Sequence, residues 1–108
     1  MKTSACGSGG LSIDYLARTA RVLRLLAHPH RLKIVELLDR GGSVPVHAIT
    51  EGLGLTQGAT SQHLNQMRRV GLVDAERRGR EVRYRIADGR SVSILNCIRS
   101  RSRGRVHA

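Results

Sequence analysis

Apolar residues recur at helical spacing from Leu11 onward, through Ile13, Leu16, Ala17, Ala20, Leu23 and Ala27, which predicts a helix over about 12–27. Ser12 stands where an N-cap belongs, Asp14 lies in the first turn, and Leu11 and Leu16 are spaced as a hydrophobic staple. Pro29 fits the first turn of a second helix, which runs through Leu32, Val35 and Leu38 over about 29–40 and stops at Gly41-Gly42. After Ser43, with Pro45 in its first turn, a short third helix carries Val46, Ile49 and Leu53 and ends near Gly54. Thr56 caps a fourth helix over about 57–70, in which Thr60, Leu64 and Met67 form one inward stripe and Gly71 supplies the stop.

Beyond Gly71 the period changes. Val82, Tyr84 and Ile86 alternate with Glu81, Arg83 and Arg85, the mark of a strand with one covered face. With Leu72 to Arg77 as partner and Arg78-Gly79-Arg80 as turn, this segment predicts a β-hairpin whose return strand turns Arg83 and Arg85 outward. Asp88 caps a last helix bearing Val92, Ile94, Leu95 and Ile98, an apolar face long enough to read as a subunit contact. The predicted fold is therefore mainly α with a small β-hairpin, in the order four helices, two strands, one helix. It occupies residues 11–98, between a Gly- and Ser-rich flexible arm at 1–10 and an Arg-rich tail at 99–108 that reads as disordered.

The 108 residues suit one domain, and with 28 Leu, Ile and Val but no Trp or Phe the core must be aliphatic. A chain this short buries roughly 65% of its unfolded surface, so a partner subunit would add to its stability. Cys6 and Cys97 are too few for a disulfide scaffold, no apolar run approaches the span of a bilayer, and Met1 to Gly10 lacks the apolar run of a signal peptide. A cytoplasmic protein without a membrane partner is the expectation.

Charge changes the picture. Seventeen of the 19 basic residues are Arg, the net charge is +11, and the guanidinium is suited to bidentate contacts with phosphate and guanine. A polyanion is the first partner to consider, and position supports it. The third helix, its turn and the fourth helix make a helix-turn-helix, and the basic hairpin that follows makes the pattern a winged helix-turn-helix. With the stripe of the fourth helix inward, Gln57, Gly58, Ser61, Gln62 and Asn65 face out, while Thr56 and the free amides of the helix start can hold a phosphate. Short amide and hydroxyl side chains read base edges, and Gly58 allows close backbone approach. Arg77, Arg78 and Arg80 at the hairpin tip are placed for phosphates or the minor groove. The alternative is a basic protein that binds nucleic acid without sequence preference, supported by the Arg-rich tail. An enzyme is not expected, for the chain has no Walker loop, nucleophile elbow or HExxH helix.

The run Leu25-Leu26-Ala27-His28-Pro29-His30-Arg31-Leu32-Lys33-Ile34-Val35 resembles a signature segment of the ArsR/SmtB family of bacterial repressors. Leu55-Thr56-Gln57-Gly58-Ala59-Thr60-Ser61-Gln62-His63-Leu64 is similar to that family's recognition helix, and Gly71-Leu72-Val73 with Arg78-Gly79-Arg80-Glu81-Val82-Arg83-Tyr84 to its wing. The resemblance covers about residues 11–98. It implies a homodimer joined through the first and last helices, bound to an imperfect inverted repeat in double-stranded DNA and released by an inducer.

The family's metal positions are altered here. The thiolate pair at the start of the third helix corresponds to Pro45 and His47. A zinc-type start of the last helix corresponds to Asp88-Gly89-Arg90, with later ligand positions at Arg101 and Gly104, and a helix-2 thiol is absent near Glu36. No cofactor is required on this reading, and the inducer stays open. It is a thiol-directed redox or persulfide signal at Cys6 and Cys97, which the family's dimer would bring close, or a metal or metalloid ion. Cys97 as an inert core residue is the third reading. His28 and His30 read as capping or surface residues and His63 as a flank of the DNA face. Any metal site among them would need separate segments.

Overall fold

The computed structural model describes residues 10–105, with side chains through residue 102. Five helices are present among them: α1 (Ile13–Leu26), α2 (Pro29–Gly41), α3 (Val46–Leu53), α4 (Gln57–Arg69) and α5 (Arg90–Arg105). The strands are β1 (Val44–Pro45), β2 (Val73–Arg78) and β3 (Glu81–Ile86), arranged antiparallel in the order β1-β3-β2. Helix starts follow the expected chemistry. Ser12 Oγ accepts the Tyr15 amide proton at 3.1 Å and Thr56 Oγ1 that of Ala59 at 3.1 Å. At α2 the cap is His28, whose Nδ1 accepts from the His30 amide at 3.2 Å, with Pro29 in the first turn.

One core joins these elements. Ile34, Val35 and Leu38 of α2 meet Ile49 of α3, Leu64 and Met67 of α4, Leu72 and Val73 at the sheet, Tyr84 of β3 and Leu95 of α5. Thr60, the third member of the α4 stripe, is also fully buried, and its hydroxyl donates to the Thr56 carbonyl at 2.9 Å. A polar residue therefore sits in the core without an unmatched donor.

Several expectations are corrected. Pro45 is not a first-turn residue of α3 but its N-cap, and with Val44 it forms a third strand on the edge of the hairpin, opposite Tyr84 and Arg83. Two residues give no readable alternation, and proline is tolerated there because an edge strand leaves one side without ladder bonds. Arg78 lies within the ladder opposite Glu81, so the turn is Gly79-Arg80, with Gly79 at φ +64°. Arg83 is not turned freely outward: its guanidinium donates to the Ser43 carbonyl at 2.7 Å, the Ser43 hydroxyl at 3.0 Å and Glu81 at 2.7 Å. The pairing of β1 brings Ser43 into its reach. The segment read as a disordered tail continues α5 as helix to Arg105, where Arg99 reaches Asp39 of α2 at 3.1 Å.

The stripe of α1 is the largest departure. None of its predicted members is buried: Ile13 is 78% exposed, Leu16 41% and Leu23 47%, and α1 instead buries Val22 and Leu26, which lie off that stripe; on α5, Ile98 is 45% exposed. The periodicity is present, but this chain's own core does not cover it.

Leu64→Ala, at a position with no exposure, is expected to lower unfolding free energy by about 2–5 kcal/mol. Urea titration followed by circular dichroism measures it, and a loss below ~1 kcal/mol would contradict the packing described.

Candidate nucleic-acid interface

Helix α4 presents its polar face as a consequence of its buried one. With Thr60, Leu64 and Met67 inside, Thr56, Gln57, Gly58, Gln62 and Asn65 are exposed and Ser61 is half-buried. Nothing lies within 4 Å of where a Gly58 side chain would begin, so packing within the chain does not demand glycine there. The open space suits a partner's close approach.

Gln57 and Ser61 of α4 and Arg80 of the turn line one cleft of about 480 Å³ together with Val46, His47, Glu81, Val82 and Tyr84. Three sequence-predicted residues, from helix and hairpin, thus share one cleft, whereas Thr56, Gly58, Gln62, Asn65, Arg77 and Arg78 do not line it. They differ in freedom. Arg78 pairs with Glu76 at 3.3 Å, whereas Arg77 and Arg80 are exposed and make no ion pair among the described residues. Glu81, the acidic group of the cleft, is engaged by Arg83 at 2.7 Å and His47 at 3.4 Å. The Arg83 hydrogen bond, aided by His47, holds its carboxyl below the usual carboxylate range. Its charge is therefore matched, and the cleft opposes an anion less than its composition suggests.

The orientation of α4 is fixed by a residue that helical periodicity does not reveal. Arg31 of α2 donates from Nε to His63 Nδ1 at 3.0 Å, from Nη2 to Gln66 Oε1 at 2.7 Å and from Nη1 to the Leu25 carbonyl at 3.2 Å. One planar group ties the end of α1 and the start of α2 to the middle of α4. The signal for it was the Pro29-His30-Arg31 segment of the family-like run, not any pattern of burial. His63 accordingly faces α2 rather than flanking the DNA face, and its ring stands 4.5 Å from that of His28 and 6.1 Å from that of His30. Burial, then the neighbouring His28, Arg31 and His30 charges, push its pKa below the ordinary value.

Among the described residues, the altered metal positions at Asp88 and His47 are engaged in other contacts. The Asp88 carboxylate is taken by Arg90 at 2.6 Å, and His47 faces Glu81 beside Pro45. Cys97 is exposed on α5, and Cys6 lies outside the described residues. No described helix is long and apolar enough to cross a membrane.

Comparison with known proteins agrees with this geometry. Residues 28–75 match the model of "Bacterial regulatory protein, arsR family". Over 89 residues the chain is 36% identical to the HTH-type transcriptional regulator NmtR of Mycobacterium tuberculosis, an alignment spanning 82% of this chain and 73% of that protein. It is 41% identical over 82 residues to the HTH-type transcriptional repressor SmtB of the same species, covering 76% of this chain and 60% of SmtB. Among solved structures it is similar to HlyU from Vibrio cholerae, with a TM-score of 0.75 at 26% identity over 81% of this chain and 94% of that one. The homodimeric winged helix-turn-helix DNA-binding domain of Mb0332 from Mycobacterium bovis gives 0.73 at 31%, over 87% and 89%.

Because the folded state holds the His63 pKa below its unfolded value of 6.5, the unfolded chain binds more protons there in mild acid. Stability should therefore fall as pH drops through about 6.5 and level off below the folded pKa. Thermal melts between pH 7.5 and 5 are expected to show a shallower decline in His63→Gln; an equal decline in both proteins would refute the assignment.

Proposed function

The chain belongs to the ArsR family of bacterial regulatory proteins, and we propose that it is a homodimeric, sequence-specific repressor that leaves its operator when an inducer binds. The observation that carries this reading is the exposed, uncharged amide and hydroxyl face of α4 beside the free guanidinium of Arg80. Thr56 and the α4 amides hold a phosphate and set the register. Gln57, Ser61, Gln62 and Asn65 read base edges in the major groove, with Gly58 at the closest approach. Arg77, Arg78 and Arg80 of the β2–β3 wing contact the backbone or the adjacent minor groove.

Dimerisation follows from the unpartnered apolar surface. Ile13, Leu16 and Leu23 of α1 and Ile98 of α5 are large, exposed and gathered on two elements, where a second copy would cover them. Two copies place two α4 helices on successive turns of one DNA face, about 34 Å apart, which calls for an imperfect inverted repeat. The doubled charge makes affinity fall steeply with salt. Cys97, exposed on α5, is the described thiol open to a redox or persulfide signal; a metal or metalloid ion is the other class of inducer.

Selection of a site from random duplexes, followed by anisotropy titration, tests the reading. Gln62→Ala should cost about 1–3 kcal/mol on the selected site and relax one base position, whereas Arg80→Ala should weaken all duplexes alike and lower the salt slope by about 1. If no sequence is enriched and both variants act equally on every duplex, the protein is a non-specific basic binder. Leu23→Asp is expected to convert the dimer to monomer in sedimentation velocity; an unchanged dimer would move the interface away from α1.

A further inference from the structure

Three imidazoles from two separate segments converge where α2 begins against the flank of α4. His28 and His30 lie either side of Pro29, and His63 comes from the middle of α4; one ring nitrogen from each lies within 4.8 Å of the others. All three are half-buried, so the cluster has both protein walls and an opening. Three nitrogen donors with a fourth position open is a set that borderline divalent metals accept. Such an ion holds imidazole nitrogens at about 2.0–2.1 Å, or roughly 3.3 Å from one another in a tetrahedral arrangement. The difference is of the size that imidazole χ rotations can span.

We propose that His28, His30 and His63 bind a borderline divalent transition-metal ion, of the class of Zn(II), Co(II) or Ni(II), and that its binding unlatches Arg31 from α4. The second half follows from proton bookkeeping on the rings. In the metal-free structure His63 Nδ1 accepts from Arg31 Nε, and His28 Nδ1 accepts from the His30 amide, so in each neutral ring the proton sits on Nε2. If the metal takes Nδ1 of His63, the lone pair that held Arg31 is used. If it takes Nε2, the ring proton must pass to Nδ1, which then meets the guanidinium donor to donor. Either way no proton is lost from the ring, and the Arg31–His63 hydrogen bond cannot persist. A dication among the imidazoles also repels the guanidinium beside them. The same exclusion at His28 removes the side-chain cap of α2.

Burial and the neighbouring His28, Arg31 and His30 lower the His63 pKa, which favours the neutral imidazole that a metal needs. The cluster is also apart from the altered positions at Pro45, His47 and Asp88, so it is not a remnant of them. Metal occupancy stands on the geometry alone. Its effect on DNA rests on the function proposed above, because Arg31 is what fixes the orientation of the α4 reading face, and its release is expected to weaken duplex binding.

The test uses the 108-residue chain with Cys6→Ser and Cys97→Ser, so that thiolates cannot compete, titrated with Co(II) and then Zn(II). One ion per protomer is expected, with visible d–d absorption that Zn(II) displaces. In this background His30→Ala should weaken binding ~10-fold or more, by analogy with losses on removing even supporting groups, while His47→Ala should not. The ring of His30 makes no hydrogen bond among the described residues, so its removal should leave the fold intact, and circular dichroism checks this. Absence of stoichiometric binding, or equal loss in His30→Ala and His47→Ala, overturns the site. With the selected duplex, saturating Zn(II) should reduce affinity ~5-fold or more, and not in His30→Ala. Unchanged affinity overturns the coupling, whereas a chain that binds metal but no duplex overturns the proposed function and leaves the site standing.

Discussion

Burial of Thr60, Leu64 and Met67 in the common core, with α4 packed against α3 and β2, settles what the protein can show to a partner. A helix has one circumference, and once that stripe is inside, Gln57, Ser61, Gln62 and Asn65 have nowhere to point but outward. Thr60 makes the arrangement specific as well as favourable, since its hydroxyl is matched only when it returns to the Thr56 carbonyl. The same threonine turn that caps α4 therefore also anchors it.

The hydrophobic stripe sets which face of α4 is outward, and polar contacts around it set its attitude. Arg31 spans from the end of α1 to His63 and Gln66, and Arg83 performs a comparable service for the wing by joining β3 to Ser43 before α3. Both are arginines in a chain rich in them, yet they are structural, and composition could not have separated them from Arg77 and Arg80. What distinguishes them is the presence of carbonyl, hydroxyl and imidazole acceptors at the distances where a planar fork reaches several at once.

An apolar surface left uncovered carries as much information as one that is covered. The α1 stripe is periodic yet exposed, a mismatch within one chain that the proposed dimer would remove. In such a dimer, symmetry would turn one proposed reading helix into a pair and a local readout into recognition of a repeated site. The histidine cluster adds a second kind of economy, because the ring nitrogen that secures Arg31 is also the one whose state must change if a metal binds.

Local chemistry made the helices, their caps, the hairpin and the outward residues of α4 legible in the linear order of residues, because periodicity and N-capping act over only a few positions. The family-like runs around Pro29 and Leu55 carried the functional class. Contacts between distant positions were hidden. The edge strand at Val44-Pro45 exists only through pairing with β3, Arg83 is occupied only because that pairing delivers Ser43, and α5 extends through a segment whose composition suggested disorder, its Arg99 reaching Asp39 across the fold. His63 lies more than thirty positions beyond His28 and His30 in the chain, and nothing in their spacing announces a cluster. They meet where the start of α2 reaches the flank of α4 through Arg31, and such convergence is a property of the tertiary fold that no short-range pattern encodes.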